Sequence, residues 1–207
     1  MTYKLTYFDI PGLGEPIRWM FAMGKIEFED IHIKKDDWST FKPETPFGQL
    51  PLLEHNGKVV SQSMAICRYV GKLVGLGGKD AWEDLEIDFM VDCFSDFTGK
   101  LIQMVKETDE ARKEELKKTV NEELIPFYLN KFEERTKTNK GYLVGGHLTW
   151  ADVVISCLLK NFEKFTGGSM IENHPGLKKI QKEVLSNPEI KKHIESHSYT
   201  NFVYQFK

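Results

Sequence analysis

Gly48-Gln49-Leu50-Pro51-Leu52-Leu53-Glu54-His55-Asn56-Gly57-Lys58-Val59-Val60-Ser61-Gln62-Ser63 is the stretch that decides the fold. Asn56-Gly57 supplies the positive φ angles of a tight hairpin turn, and it lies between Leu52-Leu53-Glu54 and Val59-Val60, so two short antiparallel strands are expected. Pro51 leads into the first of them through an X-Pro bond that can be cis and can present the backbone N–H and C=O of Leu50 to a peptide-like ligand. After the hairpin, Ser61-Gln62-Ser63 precedes Met64 to Val70, which makes Ser63 the expected N-cap of a helix.

Upstream, Tyr3 to Phe8 alternates Lys4 and Thr6 with Tyr3, Leu5 and Tyr7 and reads as a strand. Residues 9–14 form a loop. Pro16 then suits the first turn of a helix that runs to about Met23 and stops at Gly24. Phe28 to Ile33 is a second strand, completing a strand–helix–strand unit. Strand, helix, strand, Pro-led hairpin and helix is the order of a thioredoxin-like unit. Downstream, glycines at 71, 75, 77 and 78 mark a linker near residues 75–82, beyond which strand signals nearly vanish.

From Trp82 to Glu107, Leu85, Phe89, Cys93, Phe97, Leu101 and Val105 recur at helical spacing. Further helical patterns cover about 110–136, bent or broken at Pro126, then 149–165 and 177–197. Thr149-Trp150-Ala151-Asp152 has the spacing of a capping box, with Leu148 and Val153 placed for a hydrophobic staple. The expected fold is an α/β thioredoxin-like N-terminal domain over 1–78 followed by an all-α C-terminal domain over 82–207.

Composition limits the function. The 207 residues are 41% hydrophobic and 29% charged, which suits a chain with a sizeable core. With 28 Lys+Arg against 31 Asp+Glu, the net charge of -3 leaves no basic field for a nucleic-acid backbone. No apolar run approaches the roughly 20 residues of a membrane span. Lys4, Asp9, Glu15 and Arg18 interrupt the N-terminus, so no secretory core is expected there and the expected compartment is the cytoplasm. Cys67, Cys93 and Cys157 are too few and too widely spaced for a disulfide framework or a zinc pattern, and are expected to be buried reduced thiols.

A thioredoxin-like unit that worked as a thiol oxidoreductase would carry a cysteine in the loop before its first helix. Residues 9–15 contain none. A sulfur nucleophile would therefore come from a bound ligand, which points to a thiol cofactor. Three loops of the small domain are placed to receive it: Tyr7 at the end of strand one, Gly48-Gln49-Leu50-Pro51, and Gln62-Ser63. At Gln62-Ser63, orphan N–H groups, a hydroxyl and the positive end of a helix favour a carboxylate or phosphate. Each feature also has a structural reading, as core tyrosine, turn proline and helix cap.

Taken together, Tyr3-Lys4-Leu5-Thr6-Tyr7-Phe8, Gly14-Glu15-Pro16-Ile17-Arg18, Pro46-Phe47-Gly48-Gln49-Leu50-Pro51-Leu52-Leu53-Glu54, Gln62-Ser63-Met64-Ala65-Ile66-Cys67-Arg68-Tyr69 and Leu148-Thr149-Trp150-Ala151-Asp152 resemble a cytosolic glutathione transferase of the sigma class, in order and over nearly the whole chain. The resemblance implies glutathione as co-substrate, a hydrophobic electrophile as second substrate, no metal, and a homodimer. Tyr7 matches the tyrosine that donates a hydrogen bond to the glutathione sulfur. A thiol of pKa about 8.5 is only about 3% ionised at pH 7, and a depression of roughly two units costs about 2.7 kcal/mol. One hydrogen bond to a charged group is worth about 1.5–3 kcal/mol, so a single phenol can supply much of it.

By the same resemblance, Trp38 and Lys42 match residues that hold the glycine end of glutathione, with Gln49 beside them. Leu50 matches the position that pairs with the cysteinyl amide, and Pro51 the cis-proline. Gln62 and Ser63 match the pair that binds the γ-glutamyl carboxylate. Asp96 matches a carboxylate reaching from the partner subunit to the γ-glutamyl amine. It also closes the series Asp84, Asp88, Asp92, Asp96, which without the resemblance reads as a solvated acidic stripe.

Phe8 and Leu13 are expected to line the hydrophobic pocket, Leu13 standing where many members have arginine. The aromatic tail Tyr199, Phe202, Tyr204 and Phe206 departs from the family and is expected near that pocket. Conjugation of electrophiles is the expected reaction, with reduction of lipid hydroperoxides beside it. A prostaglandin D isomerase is the alternative reaction, and a non-catalytic ligand-binding or structural relative the alternative class.

Overall fold

The structure, a computed structural model, describes residues 2–166 and 168–196. Among the described residues two compact units emerge, one of residues 2–77 joined by 184–196, the other of 78–183.

In the first unit, strands β1 (Tyr3–Phe8), β2 (Phe28–Ile33), β3 (Leu52–His55) and β4 (Lys58–Ser61) form a sheet of order β2-β1-β3-β4. β1 and β2 are parallel, with Tyr7 opposite His32; β3 runs antiparallel to β1, with Thr6 opposite Leu52. Asn56 and Gly57 both have positive φ, as the hairpin requires. Helix α1 (Glu15–Met23) crosses from β1 to β2 with Pro16 in its first turn and Gly24 as its C-cap. A short helix α2 (Trp38–Phe41) and a 3-10 turn (Lys42–Glu44) lead to β3, and α3 (Ser63–Leu73) follows β4. This is the thioredoxin-like arrangement, built around the fully buried Leu5, Ile17, Phe21 and Ile66.

The second unit contains α4 (Ala81–Lys106), α5 (Glu110–Thr119), α6 (Ile125–Thr138), α7 (Trp150–Thr166) and most of α8 (Pro175–Ser186). Asp80 caps α4, accepting the N–H groups of Trp82 and Glu83 at 2.9 Å. The break expected at Pro126 is a π-helical turn at Val120–Leu124, which leaves Pro126 in the first turn of α6, where its missing N–H costs nothing. Phe94, Phe97, Phe132 and Trp150 form the centre of this core.

Several expectations are corrected. The helix expected over 177–197 is two, α8 and α9 (Pro188–Ser196), because Pro188 has no N–H to continue the ladder and Asn187 Oδ1 caps the new start by accepting from Glu189 and Ile190. Helix α9 packs with the first unit, where His193 Nε2 lies 3.1 Å from Glu15 Oε1 of α1.

The apolar stripe read along α4 is two stripes: Phe97 and Leu101 are buried beside Ile87, Met90 and Phe94, whereas Leu85 and Phe89 are each 54% exposed. Cys67 and Cys157 are buried, but Cys93 is only partly so. The tail at residues 199–206 lies outside the described residues.

Candidate functional site

Tyr7 ends its strand buried, 7% exposed, because the loop after β1 folds back over it. Gly12 has a φ of +42°, and a Cβ there would come within 2.7 Å of the Tyr7 hydroxyl; a Cβ on Gly14 would come within 2.8 Å of the ring. Two glycines are thus needed for the loop to reach the phenol. Its reward is one hydrogen bond: the Leu13 N–H donates to the Tyr7 hydroxyl at 3.1 Å. A phenol accepts through lone pairs and donates through one proton, so accepting from Leu13 orients the group and leaves its own proton for an outside acceptor. Burial pushes the Tyr7 hydroxyl above its ordinary pKa, while the Leu13 N–H and the Arg18 guanidinium pull it back. At neutral pH it stays a protonated donor.

Beneath this loop is a charged network that sequence reasoning missed. Arg18, fully buried, binds Asp30 through Nε at 2.8 Å and Nη2 at 3.3 Å, Glu15 through Nη1 at 3.3 Å, and the Ile10 carbonyl at 3.2 Å. Its guanidinium carbon is 6.0 Å from the centre of the Tyr7 ring. Glu15 also accepts from Trp19 Nε1 at 2.9 Å. The legible signal was Arg18 among the apolar residues of α1, since an arginine buried on a core-facing helix must be paired.

The other expected residues gather around the same end of the sheet. Because Thr6 pairs with Leu52, the cis Leu50–Pro51 peptide at the head of β3 lies beside Tyr7. Phe8 packs edge-on against Trp38, ring centres 5.4 Å apart, which brings α2 to the same end. Lys42, one helical turn on, lies over Gly48, where an added Cβ would stand 3.1 Å from Lys42 Cε. Gln62 Nε2 donates to Gln49 Oε1 at 3.1 Å, joining the loop before β3 to the start of α3.

Ser63 is the first residue of α3 rather than its cap. The capping position is Gln62, with φ +79° and no side-chain cap bond. Positive φ costs a side-chain-bearing residue about 1 kcal/mol or more, and such strain collects at functional sites. Sequence could not show it. Leu13 is half-buried in the loop. Asp96 is exposed on α4, in the second unit.

Burial, then Asp96 and Asp92, pushes the Cys93 thiol up, and burial pushes Cys67 up as well. Neither cysteine is set up as a nucleophile. Among the described residues no group of three or more His, Cys, Asp or Glu side chains is placed to hold a metal ion, and no helix is long and apolar enough to cross a membrane.

A thioredoxin-like unit with a buried tyrosine near the end of β1 and no cysteine in the loop after it, followed in the chain by a helical unit, is the arrangement of the glutathione S-transferase fold. Residues 3–72 match the glutathione S-transferase N-terminal domain and residues 95–197 the glutathione S-transferase C-terminal domain. The chain is 41% identical to a glutathione S-transferase of Anopheles gambiae, over 96% of this chain and 98% of the relative.

Among solved structures it resembles prostaglandin synthase D of Nilaparvata lugens, with TM-score 0.90 and 45% identity over 94% of this chain and 98% of that one. It also resembles a monomeric glutathione S-transferase of the hookworm Necator americanus, with TM-score 0.87 and 35% identity over 98% and 100%. The chain belongs to the glutathione S-transferase family, enzymes whose co-substrate is glutathione.

Proposed function

We propose that this enzyme is a sigma-class, cytoplasmic glutathione transferase that joins the glutathione thiolate to hydrophobic electrophiles in detoxification, with reduction of lipid hydroperoxides as a second use of the same thiolate. The observation that carries this reading is the Tyr7 hydroxyl, buried at the end of β1, oriented by the Leu13 N–H and keeping its own proton to donate. In this reading Tyr7 hydrogen-bonds the sulfur and favours its ionised form, while Phe8 and Leu13 face the electrophile.

Trp38, Lys42 and Gln49 hold the glycyl end, Leu50 and Pro51 the cysteinyl amide, and Gln62 with Ser63 the γ-glutamyl carboxylate at the start of α3. Holding both reactants together supplies the remaining acceleration. Tyr7→Phe is expected to keep the KM for glutathione and to lower kcat by about ten- to a thousandfold, as loss of one transition-state donor does. Unchanged turnover in an aryl halide conjugation assay would sink the assignment.

The active unit in this reading is a homodimer, with 1–78 as the glutathione-binding domain, 82–207 lining the pocket for the electrophile, and Asp96 of the partner subunit reaching the γ-glutamyl amine. Support comes from large apolar side chains left in water on each unit: Phe47 is 78% exposed, Trp82 is 70%, and Leu85 and Phe89 lie on the same side of α4 as Trp82. A monomeric family member is known, so sedimentation velocity decides, and a single monomer-sized species at micromolar concentration would remove Asp96 from the site.

A second reaction, glutathione-dependent isomerisation to prostaglandin D, is favoured by the likeness to the Nilaparvata lugens prostaglandin synthase. Isomerase, conjugation and hydroperoxide assays on one preparation would rank the three.

A further inference from the structure

We propose that His32, with Asp9, is a positioning residue for Tyr7: it pins the mouth of the loop whose Leu13 N–H sets the phenol. This rests on the reading of Tyr7 as the hydrogen-bond donor to the thiol.

His32 stands opposite Tyr7 in the parallel β1–β2 pair, and its ring bridges the loop after β1 and the strand β2. Nδ1 lies 2.8 Å from Asp9 Oδ1, the first loop residue after β1, and Nε2 lies 3.0 Å from Asp30 Oδ2. Asp30 is in turn fixed by the buried Arg18. A chain of side-chain contacts, Arg18 to Asp30 to His32 to Asp9, therefore runs from the core to the loop, anchored at its buried end.

The loop needs that anchor. Gly12 and Gly14 have no side chains with which to pack, and their close approach to the Tyr7 ring leaves little tolerance for a shift. The inner part of the loop is held by Arg18 on the Ile10 carbonyl and by the Glu15 N–H on the Pro11 carbonyl. At the mouth the Ile10 N–H on the Phe8 carbonyl, at 2.7 Å, closes the backbone around Asp9, and Asp9 on His32 is the side-chain tie there. The Asp9 side chain is 69% exposed and that of His32 30% exposed, so the pair adds little to global stability. Its effect falls on the direction of one hydrogen bond.

The test uses the full chain with His32→Ala, Asp9→Ala, the double variant and Asp9→Asn. Either alanine variant is expected to lower kcat about three- to tenfold, the worth of roughly one hydrogen bond, with the KM for glutathione nearly unchanged. Each should also move the thiol ionisation in the pH profile of kcat/KM to higher pH. The double variant should be no worse than either single one, and Asp9→Asn, which keeps a carbonyl oxygen for the imidazole N–H, should recover most of the rate.

Wild-type kcat and pH profile in both alanine variants, beside an impaired Tyr7→Phe, would overturn this inference alone. So would a loss in His32→Ala that Asp9→Ala does not share. Full turnover in Tyr7→Phe would overturn the reading of Tyr7 and this inference with it.

Discussion

Tyr7 in the first unit and Asp152 in the second are both buried acceptors beneath a loop that precedes a helix, and the two are used in opposite ways. In the first, Tyr7 accepts the Leu13 N–H just before α1. In the second, Asp152, fully buried on α7, accepts the N–H groups of Leu143 at 3.0 Å and Thr149 at 2.7 Å and the Thr149 hydroxyl at 2.8 Å. Burial pushes both groups up, and the donated hydrogen bonds pull both back. Asp152 can only accept, and three internal donors use it, so it is a structural pin. Tyr7 keeps a donor proton after its one internal bond, so it is available for chemistry. Spare hydrogen-bonding capacity, not burial or a shifted pKa, separates the candidate functional group from the structural one.

The largest expected effect tests the structural half. Asp152→Ala leaves two buried N–H groups and a hydroxyl without their acceptor, and is expected to destabilise the fold by about 2–4 kcal/mol in denaturant unfolding, with kcat of the folded fraction unchanged. A stable variant would break the contrast. Next in size is a pH dependence. Burial raises the folded pKa of Asp152 to about 6 from an ordinary value of 3.8. The folded state then binds the proton more tightly than the unfolded one. Its contribution is fully present below pH 3.8 and is lost as pH rises through about 6, an amount of about 3 kcal/mol. The difference between wild-type and Asp152→Ala unfolding curves across that window isolates it, and a difference of opposite slope would refute the assignment.

Smaller again is Gly12→Ala, where positive φ and the nearby Tyr7 hydroxyl both oppose a methyl group. About 1–2 kcal/mol of stability should be lost, and kcat should fall with it because the phenol must move. Loss of stability with unaltered kcat would separate the loop from the chemistry.

Much of this was legible beforehand, for local reasons. The Asn56-Gly57 turn, Pro16 in the first turn of α1 and the absence of cysteine from the first loop each act over a few residues, and their physics does not depend on what lies across the fold. Thr149 and Asp152 were legible as a pair but not in their working. Asp152 takes the Thr149 N–H as a capping box would, yet the Thr149 hydroxyl donates to that carboxylate as well, and the third donor, Leu143, sits outside the motif. Leu85 and Phe89 fitted a helical stripe perfectly well and still face water, because periodicity marks a face without saying what covers it.

The sequence by itself determined the order of elements, the hairpin, and the lack of a cysteine in the loop before α1. Those follow from backbone chemistry and from which residue types are present. Only the tertiary structure decided that Arg18 is a buried ion-pair partner beneath Tyr7, that Gln62 is held at positive φ, and that α9 belongs with α1. Each depends on groups far apart in the chain meeting at a distance of a few ångströms, and short-range propensity carries no record of such meetings.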